Sequence, residues 1–302
     1  MAGFEGRSLV GGFEIDIFKL VAEEATESQW AEWLHVPIQI AAAKGKSSEH
    51  LFKRLLGAGT GRNEGWLGAA VDSRTIDIVL ASLQAGGKLN TRSGKQGRTP
   101  LHVAADRGAE ETVRTLVVSG ANIALNDVKG RCALHLAAKG GHHAIVRDLV
   151  LMGGSMAPLT ATDHRTYTPL HLAAEEGHEE CVSALLGGAT RSMKKTGVNR
   201  VSADCKTPLF LAASRGHVRC VQTLLEAGAD IDNMSVHMDM SGADIDDDSY
   251  ADTPLEIAAL NGHEETVKAL LLGGADVNIK STDGRPCTTR RAPKGLVGTP
   301  EA

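Results

Sequence analysis

Aromatic residues are scarce. Three Trp, two Tyr and five Phe serve 302 residues, 3% of the chain. So few argue against an all-β sandwich and an aromatic-lined cofactor pocket. They also leave little to stack on exposed bases, so nucleic acid is not an expected partner. Charge of one sign is lacking too. Lys and Arg number 32 against 37 Asp and Glu, a formal net charge of −5, and no whole-chain basic field draws the protein to nucleic acid or anionic lipid. No apolar run is long enough to span a bilayer, so membrane insertion is not expected. Glu14 and Asp16 interrupt the apolar stretch near the start, which does not read as a signal peptide. Cysteine is sparse and odd in number, at five. That is not a disulfide framework, and it points to a reducing, intracellular setting, the cytoplasm first and the nucleus second.

Glycine is plentiful, at 34, and 42% of residues are hydrophobic. Their placement is periodic. From Leu101, Ala104 and Ala105 follow at three and four positions, Gly108 at seven, Val113 at twelve and Gly120 at nineteen. The same ladder hangs from Leu134, Leu170, Leu209 and Leu255, the third rung set lacking only the last Gly, and fainter copies hang from Ile38 and Leu67. Each strong copy reads as two short helices. A Thr before the helix caps an orphan N–H, and Pro at the first helical position loses nothing there. Leu and the paired Ala form an inner face, and Gly at seven ends the helix in a left-handed turn. A second amphipathic helix follows, with Val113, Leu116 and Val117 on one face. One such unit cannot bury its apolar faces alone. Stacked units can, which predicts an all-α repeat solenoid.

The anchor spacing centres on 33, with values from 29 to 46. Thr99-Pro100-Leu101-His102-Val103-Ala104 and Thr168-Pro169-Leu170-His171-Leu172-Ala173 match the T-P-L-H-x-A signature of the ankyrin repeat. Thr207-Pro208-Leu209-Phe210 and Thr253-Pro254-Leu255-Glu256 differ from it by one residue, and Cys132-Ala133-Leu134-His135 keeps its second half. Over residues 36–284 the chain resembles the ankyrin-repeat family, with about seven repeats. That resemblance implies stacked helix–turn–helix units joined by β-hairpin or loop fingers. Residues 1–35 carry seven acids against two bases and read as an acidic, degenerate capping pair of helices. Residues 285–302 read as a basic, disordered tail.

Signals for chemistry are weak. Seven of the twelve His recur at two fixed places, one and eight residues after an anchor, so they read as structural hydrogen-bonding groups and not as ligands or catalysts. No H-E-x-x-H and no C-x-x-C occurs. Gly57–Gly61 lacks the Lys-Ser/Thr ending of a phosphate loop. Asp244–Asp248 is followed by Ser249 and Leu255 where a calcium loop needs Gly and Glu. Gly153–Ala157 approaches a nucleophile elbow but follows a helix instead of a strand. No catalytic residue, metal site or cofactor is expected.

The residues added beyond the 33-residue period fall between the second helix and the next Thr, where ankyrin-like proteins carry their fingers. The resemblance implies a concave groove lined by finger tips and first-helix residues. The side chains it places there are Lys95, Arg98, Asp106 and Arg107, then Lys129, Arg131 and Lys139, then Arg165, Tyr167, Glu175 and Glu176, then Asp204, Lys206 and Arg215. Tyr250 falls on a later finger. The first two sets hold six bases and one acid, a local basic stripe. The expected function is a non-catalytic scaffold for protein–protein interaction, binding an unidentified protein through an acidic or phosphorylated segment. The alternative is a regulatory or targeting piece of a larger enzyme, channel or ubiquitin-ligase adaptor.

Overall fold

The computed structural model describes residue 83 and residues 88–154, 158–188, 197–237 and 250–279. The chain divides into two units, Met1–Gly87 and Lys88–Ala302, and the architecture below is that of the second. The anchors Ile38 and Leu67, the acidic leading segment and the basic tail lie outside the described residues.

Five helix pairs follow one another: α1 (Pro100–Asp106) and α2 (Glu110–Val118), α3 (Ala133–Lys139) and α4 (His143–Gly153), α5 (Pro169–Glu176) and α6 (Glu179–Gly188), α7 (Pro208–Ser214) and α8 (Val218–Glu226), and α9 (Pro254–Leu260) and α10 (Glu264–Leu272). First helices pack on first helices along the series, and second helices on second helices. This is the all-α repeat solenoid, in two helical layers. The finger before α9 adds a short antiparallel ribbon, β1 (Ser235–His237) paired with β2 (Tyr250–Asp252), with Val236 opposite Ala251. The first finger closes on a single antiparallel bridge between Ser93 and Arg98.

The capping expected from Thr-Pro is present. Thr99, Thr168, Thr207 and Thr253 each accept from the N–H three residues on, with Pro at the first helical position. In α1 and α5 the cap is reciprocal. The His171 Nδ1 accepts the Thr168 N–H (3.2 Å) while the His171 N–H reaches the Thr168 hydroxyl (3.4 Å). Where Thr is absent, the Cys132 N–H donates to the His135 Nδ1 (3.2 Å) and Sγ lies 3.0 Å from that nitrogen. The core runs between repeats. Leu101, Leu134, Leu209 and the paired Ala104/105, Ala137/138, Ala173/174 and Ala212/213 are at most 1% exposed. Small Ala lets successive first helices approach closely.

Two His ladders run between the described repeats. The forward ladder uses the remaining ring nitrogen of the capping His: Nε2 of His102, His135 and His171 meets the carbonyls of Arg131, Tyr167 and Lys206 at 2.9, 3.0 and 3.2 Å. The backward ladder uses His142, His178, His217 and His263, whose Nε2 meets the carbonyls of Asp106, Lys139, Glu175 and Ser214 at 3.1 to 3.2 Å. The seven periodic His are therefore structural, as their spacing indicated.

Candidate protein-binding wall

The second, third and fourth finger tips are each stitched to the one before. The Val128 N–H donates to the Gln96 carbonyl (3.0 Å), His164 to Lys129 (3.0 Å) and Ala203 to Arg165 (3.2 Å). Below the tips, each finger closes on itself. The Asp127, Asp163 and Ser202 N–H groups donate to the carbonyls of Arg131, Tyr167 and Lys206 at 2.8 to 2.9 Å. The turn residue before that carbonyl has positive φ every time: Gly97, Gly130, Thr166 and Cys205. The tips thus form a continuous backbone rail, and their side chains project from a fixed frame.

The basic stripe is thinner than the sum of its charges. Arg98 Nη1 donates to Asp106 Oδ2 at 2.8 Å. Arg131 is turned inward, its Nε and Nη2 on Asp127 Oδ2 at 3.0 and 2.7 Å. Burial by itself would raise the Asp127 carboxyl. The hydrogen bonds from the Arg131 guanidinium and from the Arg131 and Lys129 N–H groups outweigh it and hold the carboxyl below its ordinary value. Asp127, absent from the expected groove set, is the residue that removes Arg131 from it. Lys139 lies 3.9 Å from Glu176, Arg165 pairs with Asp204 at 3.1 Å and Arg215 with Glu175 at 3.2 Å. These three pairs each bridge neighbouring repeats, and exposed pairs of this kind contribute little stability. Lys95 and Lys129 are exposed and make no ion pair among the described residues; Arg107 is exposed and Lys206 half-buried.

Tyr167 departs from expectation. It is not a surface anchor: the residue is 0% exposed and clusters with Leu172 and Leu211 between the third and fourth repeats. Its ring stacks on His171 at 5.4 Å, and the Arg165 guanidinium lies 4.2 Å over it. Burial pushes its hydroxyl up to about 12, with the Arg165 charge opposing. The hydroxyl accepts from Arg165 Nη2 at 3.0 Å. Tyr250 lies in β2, and its side chain is outside the described residues.

Three buried thiols of the described residues are held in their protonated form. Burial pushes the thiols of Cys132 and Cys220 up to about 11 and that of Cys181 up to about 12, the opposite of a reactive cysteine. Among the described residues no group of three His, Cys, Asp or Glu is placed to hold a metal ion. No described helix is long and apolar enough to cross a membrane. Ser155 lies outside the described residues.

Comparison with known proteins agrees with this architecture. The family model described as "Ankyrin repeats (3 copies)" matches residues 38–150, 119–196 and 189–281. A curated protein of Arabidopsis thaliana, "Putative E3 ubiquitin-protein ligase XBAT35", is 41% identical over 61 residues, which is 20% of this chain and 13% of that protein. Together, the matches from residue 38 to residue 281, the capped helix pairs and the repeated fingers place this chain in the ankyrin-repeat family.

Proposed function

We propose that this chain is a non-catalytic scaffold that binds an acidic or phosphorylated segment of a partner protein along the finger wall. Ankyrin repeats imply protein–protein interaction, and the charges of the wall support an acidic partner segment. One observation carries the reading: Lys95 and Lys129 stand exposed on neighbouring, backbone-stitched tips with no ion pair among the described residues. Arg107 and Lys139 lie on the same two repeats. Arg131 acts within the fold, Arg98 is only partly engaged, by Asp106, and Glu175, Glu176 and Asp204 neutralise the wall further along. The test is fluorescence anisotropy of a labelled oligoglutamate peptide and its phosphoserine counterpart. Reversing both charges (Lys95→Glu with Lys129→Glu) should weaken binding about tenfold or more, and added salt should weaken it in the parent chain. Binding that survives both would overturn the assignment.

A second reading rests on the likeness to the XBAT35 protein, named as a putative ubiquitin ligase. The chain would then be the targeting part of such an enzyme, and the wall would recognise its substrate. Purified chain given ubiquitin with activating and conjugating enzymes should build no ubiquitin chains under the scaffold reading. Ubiquitylation of a captured partner, seen only with an added ligase component, would favour the second.

A further inference from the structure

The second finger shows how a guanidinium is satisfied in this fold. Asp127 opens the finger and Arg131 closes it. The Asp127 Oδ1 takes the Lys129 and Arg131 N–H groups at 2.8 and 3.0 Å, and Oδ2 takes the Nε and Nη2 edge of Arg131. The first finger has the same closure, the Ser93 N–H donating to the Arg98 carbonyl at 2.8 Å, with one more residue in the turn. Arg98 stands in the place of Arg131. Ser93 stands in the place of Asp127, and its short hydroxyl turns to the Arg98 carbonyl (3.4 Å) instead of the guanidinium. Arg98 Nη1 is taken by Asp106, but Nε is buried with no acceptor among the described residues. A buried donor without a partner is costly. The side chain still reaches solvent, at 19% exposure. The turn that follows Ser93 is uncrowded, since a Cβ at Gly94 would meet nothing within 4 Å.

We infer that the first finger is a carboxylate-accepting subsite, in which an acidic side chain of the bound partner meets the solvent-reaching part of the Arg98 guanidinium and brings the negative charge that Asp127 brings to Arg131 from within the fold. This rests on the acidic-partner reading above and sharpens it. Lys95 draws the acid to the tip by charge, and Arg98 holds it by the directed, charge-assisted bonds of a guanidinium edge. Arg131, closed internally, is not equivalent. One acidic residue of the partner is therefore registered at the first finger, while Lys129 offers a less directional charge at the second.

The test uses the full chain and the oligoglutamate probe. Ser93→Asp places an internal carboxylate where the second finger has one. It should raise the melting temperature and cut probe affinity about tenfold. Gln96→Asp adds the same charge to the same exposed finger without facing Arg98, and should cost distinctly less. Arg98→Lys keeps the charge but removes the fork, and should also weaken binding several-fold. Equal losses for Ser93→Asp and Gln96→Asp, or full affinity in Arg98→Lys, would overturn the subsite. If the Lys95/Lys129 reversal still abolished binding, the broader reading would stand. A probe that never binds, or whose binding ignores all four variants, overturns both.

Discussion

At the residue scale, the capping His is the most constrained side chain in the repeat. Its Nδ1 accepts the Thr N–H, so the proton sits on Nε2 and points at the next repeat's carbonyl. A proton added at Nδ1 would set two donors against each other in a dry site. His102, His135 and His171 are held below the ordinary imidazole value by burial, against the raising effect of their backbone hydrogen bonds, and His171 is drawn down to about 4. The Asp163 charge and a backbone hydrogen bond to Arg200 favour its charged form, and the Arg200 charge disfavours it. The folded state thus binds fewer protons than the unfolded chain, whose His titrates near 6.5. The stability this contributes is intact above about pH 6.5 and drains away as pH falls to about 4, on the order of 3 kcal/mol for His171 alone. Denaturant midpoints should fall across that window, and His171→Phe should flatten the slope, since Phe210 shows that a ring without nitrogens fits the position. An unchanged slope would mean that His171 binds protons equally in the folded and unfolded states. The same scale separates what was legible from what was not. Periodic spacing marked the seven His as structural. It did not reveal that Tyr167 is core or that Arg131 is closed, because those outcomes depend on partners: Leu211 one repeat on, and Asp127 four residues back.

At the element scale, the helices follow from local chemistry. Thr-Pro begins four of the five described first helices, and a Gly of positive φ follows each of the five, so their bounds were readable before any contact was known. The Gly at seven has a second reason to be Gly. Gly177 has φ +81, and a Cβ there would lie 2.5 Å from the His217 Nδ1, in the ring that reaches the Glu175 carbonyl. Gly177→Ala therefore combines left-handed strain with displacement of a backward rung. It should cost about 1–3 kcal/mol, and urea unfolding measures this. The substitution Ser183→Ala, on an exposed position of α6, is the control expected to stay within about 0.5 kcal/mol. A cost at Gly177 no larger than the control's would show that the ring yields freely. The β1–β2 ribbon was less legible. Val236 and Ala251 face each other across an insertion whose composition is acidic and turn-rich, and only the pairing turns that segment into strands.

At the scale of the described unit, every step of the stack repeats one set of links: first helix on first helix, second on second, and a backward His rung. The forward rung is not uniform. His102, His135 and His171 carry it, but the fourth repeat has Phe210, which has no ring nitrogen to offer the finger before α9. In a quasi-one-dimensional array, stability is shared between intrinsic repeat terms and nearest-neighbour couplings. A junction where a phenyl ring's contacts stand in place of the histidine's directed bond has a coupling of its own, set locally. The fifth repeat keeps its backward rung, His263 to the Ser214 carbonyl at 3.1 Å, reinforced by Asn261 Nδ2 at 2.8 Å on the same oxygen. It should stay docked yet open more readily than the repeats before it. Amide hydrogen exchange reads this directly. The amides of α3 and α5, flanked on both sides by complete rungs, should exchange at or near the global unfolding free energy, and those of α9 through a sub-global opening. Phe210→His should then narrow the gap by returning an N–H toward the fifth finger. Equal protection of α5 and α9 in the parent chain would show that apolar contact between first helices, and not the histidine rung, sets the coupling along the stack.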